Sequence, residues 1–233
     1  MATRHVIGVG LGMVSEPTAI IVVEGQVFPR FQGRPIFING RIAHQKGFMT
    51  PEGFVEEHPP IVFSVRHAER MGPGISYPAI VERVQDLAGK LEEPALALDA
   101  TAVGWATVAL FEKTGLRPTP ILVTAGDAVT ADRGYLKIPK KDLVSTAQTL
   151  LQGERLKIAR EISLADLMLR ELRGFRMTVP LGGDDRPAWR EGPHDDLVLA
   201  LSVGLWIAVD TIRVPPPMPV VLRMGRRYRG FNR

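Results

Sequence analysis

The feature that most constrains this fold is the apolar run at residues 197–209, which would be apolar on every face of a helix. Such a helix is stable only when it is buried, so we predict a helix at 196–210 packed against a sheet. His194, Asp195 and Asp196 stand directly before the run. The helix dipole and N-capping explain one acid there, but they do not explain two acids and a histidine together.

A further acid, Asp99, closes the apolar run 95–98, which has the character of a buried strand. Acids at the tip of a strand and at the mouth of a helix gather the negative charge that a divalent cation requires. On spacing alone, Asp99 is explained equally well as the cap of the next helix. Because successive helical residues diverge by about 100°, we expect Asp195 and Asp196 to point apart, one as a ligand and the other as a cap or outer-shell group.

The rest of the sequence predicts an antiparallel hairpin followed by alternating helices and strands. Strands are predicted at residues 6–11, 18–23, 61–65, 96–99, 121–124 and 175–179, and helices at 77–91, 103–114, 140–152, 164–172 and 196–210. We therefore predict an α/β fold, in which a mixed sheet with an antiparallel start carries helices on both faces.

The sequence of 233 residues is long enough for one large domain. We predict that this domain covers residues 1–212, with a loop-rich excursion at about 28–60, and that 213–233 is a basic tail rich in Pro and Arg. The sequence has no cysteine, which excludes disulfides, cysteine–zinc sites and thiol nucleophiles. It shows neither a signal-peptide pattern nor an apolar run long enough to cross a bilayer, so we expect a cytoplasmic protein with no membrane partner.

Several basic residues are candidates for binding DNA phosphates, in keeping with a formal net charge of +4. The candidates are Lys137, Lys140, Lys141, Arg226, Arg227 and Arg229. The lysines surround a predicted helix start, and the arginines are interleaved with Tyr228 and Phe231 in the tail. The alternative explanations are a solvated helix start and a disordered tail that confers solubility.

Two other residues are accessory candidates. His194 is explained as a metal ligand, a proton shuttle or an exposed loop residue, and the last is the commonest role for a lone histidine. Asp185 lies in a glycine- and proline-rich loop, where a solvated acid is the simplest explanation and a metal or DNA role is the alternative. Asp99 and the acids before the last helix indicate a metal-dependent nuclease, in which His194 and Asp185 are accessory candidates.

An ordered series of segments resembles the nuclease domain of the large terminase subunit of tailed phages and prophages. The segments are VRHAER at 65–70, SYPAIVERV at 76–84, LDATAVG at 98–104, KIPKKDL at 137–143, LKIA at 156–159 and WREGPHDDLVLAL at 189–201. The resemblance extends over about residues 5–208. The order of the segments is far more specific than any single motif.

The resemblance implies an RNase H-like fold of the resolvase and integrase type, and DNA hydrolysis with two Mg²⁺ or Mn²⁺ ions about 4 Å apart. It implies that Asp99, Asp195 and Asp196 supply the catalytic, metal-binding carboxylates. The implied role is the cutting of concatemeric viral DNA during genome packaging in an infected or prophage-bearing bacterium. The implied partners are double-stranded DNA, a packaging ATPase, a small terminase subunit and a portal.

One position departs from the family pattern. The first strand of the family usually carries an aspartate that bridges both ions, in a Gly-Val-Asp-Leu-Gly pattern, and here Gly10 stands in its place. Glu16 is the nearest substitute in sequence, although we expect it to lie too far along the hairpin. Three hypotheses follow: an endonuclease impaired by Gly10, a degenerate DNA-binding or packaging-assembly module that no longer cuts and, with less support, another RNase H-like nuclease such as a junction resolvase.

Overall fold

The computed structural model describes residues 4–12, 15–26, 61–174 and 195–212, together with four short strands between residues 37 and 56. The strands are β1 (His5–Gly10), β2 (Thr18–Gln26), β3 (Phe37–Ile38), β4 (Arg41–Ile42), β5 (Gly47–Thr50), β6 (Gly53–Glu56), β7 (Val62–Met71), β8 (Ala95–Asp99), β9 (Pro118–Thr124), β10 (Thr130–Asp132), β11 (Tyr135–Pro139) and β12 (Leu156–Ile158). The helices are α1 (Tyr77–Ala88), α2 (Gly104–Lys113), α3 (Lys140–Gln152), α4 (Ala165–Gly174) and α5 (Asp196–Thr211).

Eight strands form one mixed sheet in the order β10-β11-β9-β8-β1-β2-β7-β12. Strands β1, β2 and β7 pair antiparallel, whereas β8 joins β1 in parallel and β9 and β11 continue in that direction. Strands β3–β4 and β5–β6 form two separate antiparallel pairs. The predicted fold class, an RNase H-like mixed sheet with an antiparallel start, is confirmed.

The sheet separates two apolar cores. On one face, α3, α4 and α5 cover the inward residues of the strands, and on the other face α1 and α2 do so. Helix α5 has more buried residues than any other described helix, which follows from its apolar residues on every side. The predicted position of this helix against the sheet is confirmed.

Helix α5 crosses β1 at a backbone-to-backbone contact. A Cβ atom added to Gly8 would lie 2.2 Å from the carbonyl oxygen of Ala200, and one added to Gly204 would lie 3.3 Å from the Cα of Gly8. Glycine at both positions therefore lets the helix rest directly on the strand. Gly10 lies next to the first turn of α5, beside Asp196. The close contact between Gly8 and α5 therefore places the start of the helix over the carboxyl end of β1.

Some predicted elements differ from the observed ones. Strand β7 runs on to Met71 instead of ending at residue 65, and β10, β11 and β12 were not predicted. The β3–β6 strands lie inside the predicted loop-rich excursion. The strand predicted at 175–179 and the tail at 213–233 lie outside the described residues, and the division into domain and tail stays a prediction. Across the described ranges, no helix is both long and apolar enough to cross a membrane.

Candidate metal site at the carboxyl end of the sheet

A row of paired residues crosses four strands beneath the start of α5. Asp99 of β8 pairs with Gly10 of β1, Gly10 pairs with Ala19 of β2, and Ala19 pairs with Arg70 of β7. Paired residues on neighbouring strands point to the same face, here the face covered by α5. The row thus has an acid at one end, an arginine about 14 Å away at the other, and nothing larger than a methyl group between them.

Asp99 is buried and held in a fixed orientation. Only 4% of the surface of this residue is exposed. The backbone N–H and the hydroxyl of Thr101 both donate to Oδ1 of Asp99, at 3.0 and 2.5 Å. The same hydroxyl accepts a hydrogen bond from the Val123 N–H at 2.9 Å, which anchors Thr101 to strand β9. Thr101 therefore orients the carboxylate, a role that the sequence analysis did not assign to it.

The environment of Asp99 disfavours its charged form. Burial raises the pKa of the Asp99 carboxyl above its ordinary value, the two hydrogen bonds from Thr101 offset part of that rise, and the negative charge of Asp195 adds to it. The acid at the start of α5 therefore interacts electrostatically with the acid at the end of β8. A cation placed between the two acids would relieve this unfavourable charge.

Asp195 and Asp196 interact with different groups at the start of α5. Asp195 precedes the helix, and its side chain makes no capping hydrogen bond. Asp196 turns the other way, towards Arg70, which donates from Nε to Oδ2 at 2.7 Å and from Nη2 to Oδ1 at 2.9 Å. The two acids therefore serve different flanks of the row, Asp195 on the side of Asp99 and Asp196 on the side of Arg70.

Arg70 also contacts a second buried acid, Glu171 of α4. Its Nη2 donates to Oε1 of Glu171, whose side chain is 5% exposed. Burial raises the pKa of the Glu171 carboxyl, Arg70 lowers it in part, and Asp196 raises it further. Burial by itself would lower the pKa of Arg70, but its bonds to Asp196 and Glu171 outweigh that effect and raise it. Neither Arg70 nor Glu171 was assigned a role from the sequence.

The three lysine candidates lie near the same edge of the sheet as Asp99, because β11 runs parallel to β9 and β8 and leads into α3. Two of them are paired with exposed acids. Lys137 contacts Asp132 at 2.7 Å, and Lys141 contacts Asp127 at 2.5 Å. Such exposed pairs contribute little to stability.

The remaining candidates are placed differently. Glu16 lies in the turn between β1 and β2, where its backbone packs against Gly12. His194, Asp185, Arg226, Arg227 and Arg229 lie outside the described residues. The roles proposed for these residues stay predictions.

The carboxylates on the Asp99 flank suit a hard divalent cation. Mg²⁺ commonly binds through one or two carboxylates, with waters and substrate phosphates completing its shell. Asp99 and Asp195 provide such a pair. Within the described ranges, no three His, Cys, Asp or Glu side chains are grouped so as to hold a metal ion. Among the described residues, Asp99 and Asp195 are therefore two candidate donors at this flank, and Gly10 adds none.

The raised pKa of Asp99 predicts a stability effect that can be measured without metal. Because the folded state holds this proton more tightly than the unfolded state, stability falls as pH rises from the ordinary value of 3.8 through the raised value. Asn at this position keeps an acceptor for both Thr101 bonds and removes the charge. Asp99→Asn should therefore raise the free energy of unfolding at pH 7 by ~1 kcal/mol or more. Urea denaturation at pH 4 and pH 7 checks this, and a gain that does not grow with pH would contradict it.

The geometry can be compared with solved structures. The crystal structure of the large terminase nuclease from thermophilic phage G20c matches 87% of this chain and 83% of its own length, with a TM-score of 0.52 and 19% identity. The chain has the fold of a large terminase nuclease domain. Two further crystal structures show the same nuclease with bound magnesium and with bound cobalt. Each of them matches 88% of this chain and 84% of its own length, with a TM-score of 0.54 and 18% identity. No protein-family model and no curated protein matches the sequence.

The resemblance inferred from the sequence is thus confirmed at the level of fold. The magnesium and cobalt belong to the phage G20c nuclease, and at 18–19% identity the likeness does not carry individual residue roles. The roles of Asp99, Asp195 and Asp196 in this chain are instead argued from the contacts described above.

Proposed function

We propose that this chain is the nuclease domain of a large terminase, a hydrolase that cuts phosphodiester bonds in double-stranded DNA with the help of a divalent cation. The observation that supports this most strongly is the meeting of Asp99 and Asp195 at the carboxyl end of β8. Gly10 pairs with Asp99 and lies against the first turn of α5, so β8 and α5 bring the two acids into neighbouring positions of a fold that is shared with a terminase nuclease. A buried acid with a raised pKa beside a second acid is a costly arrangement that a bound cation would stabilise.

In this proposal, Asp99 and Asp195 are the direct ligands of Mg²⁺ or Mn²⁺. Thr101 occupies Oδ1 of Asp99, so we assign Oδ2 to the cation. A bound divalent cation would lower the pKa of a coordinated water and offset the charge that develops on the phosphate. Water attacks the phosphorus, the bond to the 3′ oxygen breaks, and the products are a 5′-phosphate and a 3′-hydroxyl. The two-ion form implied by the resemblance requires a further carboxylate, such as the one missing at Gly10.

The basic candidates are proposed to guide the DNA backbone to this edge. Lys140 and Lys141 stand at the start of α3, beside the carboxyl ends of the parallel strands. The proposed substrate of the nuclease is concatemeric viral DNA in the cytoplasm of a bacterial host. A packaging ATPase, a small terminase subunit and a portal are the proposed partners in the same process.

Cleavage of supercoiled plasmid in Mn²⁺ tests the proposal. We expect the unmodified chain to nick the plasmid and Asp99→Asn to abolish nicking, a loss of about 100-fold or more, because the ligand charge is removed. Asp86→Asn is the matched control, since it makes the same charge change at an exposed position of α1 on the opposite face. Nicking that persists unchanged in Asp99→Asn would refute the proposed site.

A second candidate function is a DNA-binding or packaging-assembly module that no longer cuts. Two observations favour it: Gly10 supplies no carboxylate, and both oxygens of Asp196 are engaged by Arg70. This candidate is correct if the unmodified chain binds DNA without nicking it and Gly10→Asp restores nicking. If Gly10→Asp changes nothing and Mn²⁺ does not bind near Asp99, both candidates are wrong.

The tail gives a separate prediction about DNA affinity. Deleting residues 222–233 removes the three candidate arginines, Arg226, Arg227 and Arg229, together with Arg223 and Arg233, and we expect DNA binding to weaken by about 10-fold at low salt with a shallower dependence on salt concentration. Replacing only the three candidate arginines with Gln in the full chain should reproduce most of the effect. Fluorescence anisotropy over a salt series measures both quantities, and an unchanged affinity and slope would show that the tail does not contact DNA.

A further inference from the structure

Arg70 neutralises two buried acids at once. Its side chain is 19% exposed, that of Asp196 is 14% exposed and that of Glu171 is 5% exposed. One guanidinium charge therefore serves two carboxylates. Oε2 of Glu171 is buried and makes no hydrogen bond of standard geometry among the described residues, and the backbone N–H of Leu197 is near enough to lower the pKa of this carboxyl. Two buried carboxylates share one positive charge, so this cluster of described residues carries more negative than positive charge.

The arrangement of these carboxylates is similar to that around a bound divalent cation. Two carboxylates from different helices, Asp196 of α5 and Glu171 of α4, converge on a single positive group. A guanidinium supplies one charge in a planar fork, whereas Mg²⁺ or Mn²⁺ would supply two. Both oxygens of Asp196 accept hydrogen bonds from Arg70, and the positive charge of that guanidinium opposes the binding of a metal ion to the same carboxylate.

We propose that Arg70 is a positioning residue that acts as a built-in counter-ion: it occupies Asp196 and Glu171 and excludes a second divalent cation from them. The site then takes a single divalent cation, at Asp99 and Asp195, a part of the inference that rests on the proposed function. Arg70 touches neither substrate nor reacting atoms in this account. It acts by fixing which acids are available to metal.

A purely structural ion pair would behave differently. Loss of one partner from a buried pair destabilises a fold whatever the role of the pair, so lower stability alone does not distinguish the two. A structural role predicts no change in the number of metal ions bound. The counter-ion role predicts that Mn²⁺ replaces the missing guanidinium.

The experiment measures Mn²⁺ binding by isothermal titration calorimetry and melting temperature with and without Mn²⁺. In Arg70→Gln we expect one Mn²⁺ ion more than in the unmodified chain, a lower melting temperature without metal, and a larger rise on adding Mn²⁺. Arg70→Gln combined with Glu171→Gln removes one carboxylate of the pair, so it should lose the extra ion. Arg66→Gln is the matched control, because Arg66 lies on the same strand in an exposed pair with Glu24 and should leave the ion count unchanged.

The outcomes separate this inference from the proposed function. If Arg70→Gln gains no Mn²⁺ ion, whether or not it folds, or if the unmodified chain already binds two, the inference is overturned. If the double variant keeps the extra ion, Glu171 is not part of that site and the inference is likewise overturned. If the unmodified chain neither binds Mn²⁺ nor nicks DNA, the proposed function fails, yet a single ion gained by Arg70→Gln would still support the role of Arg70.

Discussion

Gly8→Ala is expected to lower the free energy of unfolding by about 3 kcal/mol or more, and the melting temperature by roughly 10 °C. The added methyl group would lie 2.2 Å from the carbonyl oxygen of Ala200, so the backbone of α5 or β1 has to move. No flexible side chain can absorb the clash, because the neighbour on the helix side is backbone. Helix α5 would lift from the sheet, and the packing that it shares with β1, β2 and β8 would loosen.

Gly10→Ala is the matched control on the same strand and the same face. Its methyl group would lie 3.4 Å from the carbonyl oxygen of Asp196 and 3.5 Å from the Cβ of Ala200, which are ordinary contact distances. We expect a change below about 1 kcal/mol, since the smaller freedom of the unfolded chain offsets part of any strain. Urea denaturation of both variants measures the difference. Equal stabilities for Gly8→Ala and Gly10→Ala would show that α5 does not rest directly on β1.

Gly10→Asp should raise Mn²⁺-dependent nicking by about 100-fold, equivalent to about 2.7 kcal/mol of transition-state stabilisation. Gly10 pairs directly with Asp99 in the sheet and lies under the first turn of α5. A carboxylate there would stand beside Asp99 and supply the donor that the two-ion chemistry requires. The contacts at Gly10 leave room for the Cβ of the new side chain.

The added charge also has a cost, which provides an internal check. Without metal, Gly10→Asp places one more acid beside a buried carboxylate whose pKa is already raised, so the variant should be less stable than the unmodified chain at pH 7. Mn²⁺ should reverse that loss. Gly10→Asn, which has nearly the same shape without the charge, should show neither the gain in nicking nor the reversal by Mn²⁺. A Gly10→Asp variant that nicks no faster than Gly10→Asn would contradict the proposed role of position 10.

Much of the fold followed from local patterns. The apolar faces of residues 197–209 required a buried helix, and the run ending at Asp99 required a buried strand, and both are observed. Helical geometry also predicted that Asp195 and Asp196 point apart, and Asp196 is the one that contacts Arg70. The sequence could not decide which acid faces Asp99, because that depends on how α5 is rotated over the sheet, and the Gly8–Gly204 contact sets that rotation.

The sequence pattern did not indicate an inward-facing Arg70, because a bulge interrupts strand β7. The pairing shifts between Val22 and Val23, which pair with His67 and Val65, so Arg66 is an extra residue. The inward positions change from Phe63 and Val65 before the bulge to Ala68 and Arg70 after it. Simple alternation therefore appeared to end at residue 65, and the strand that carries Arg70 was predicted too short.

Glu171 carried a weak signal that periodicity could have detected. It follows Met168 by three residues, and Met168 follows Ala165 by three, so all three lie on the buried face of α4. An acid on a buried face needs a cationic partner. The sequence could not show that this partner is Arg70, which is 101 residues away along the chain.

Anomalous diffraction from crystals soaked in Mn²⁺ tests the central claim most directly, because it locates the ion without relying on activity. The account predicts one peak between the carboxylates of Asp99 and Asp195 in the unmodified chain, and its loss in Asp99→Asn. A peak at Asp196 and Glu171 instead, or no peak at the carboxyl end of β8 at saturating Mn²⁺, would contradict it.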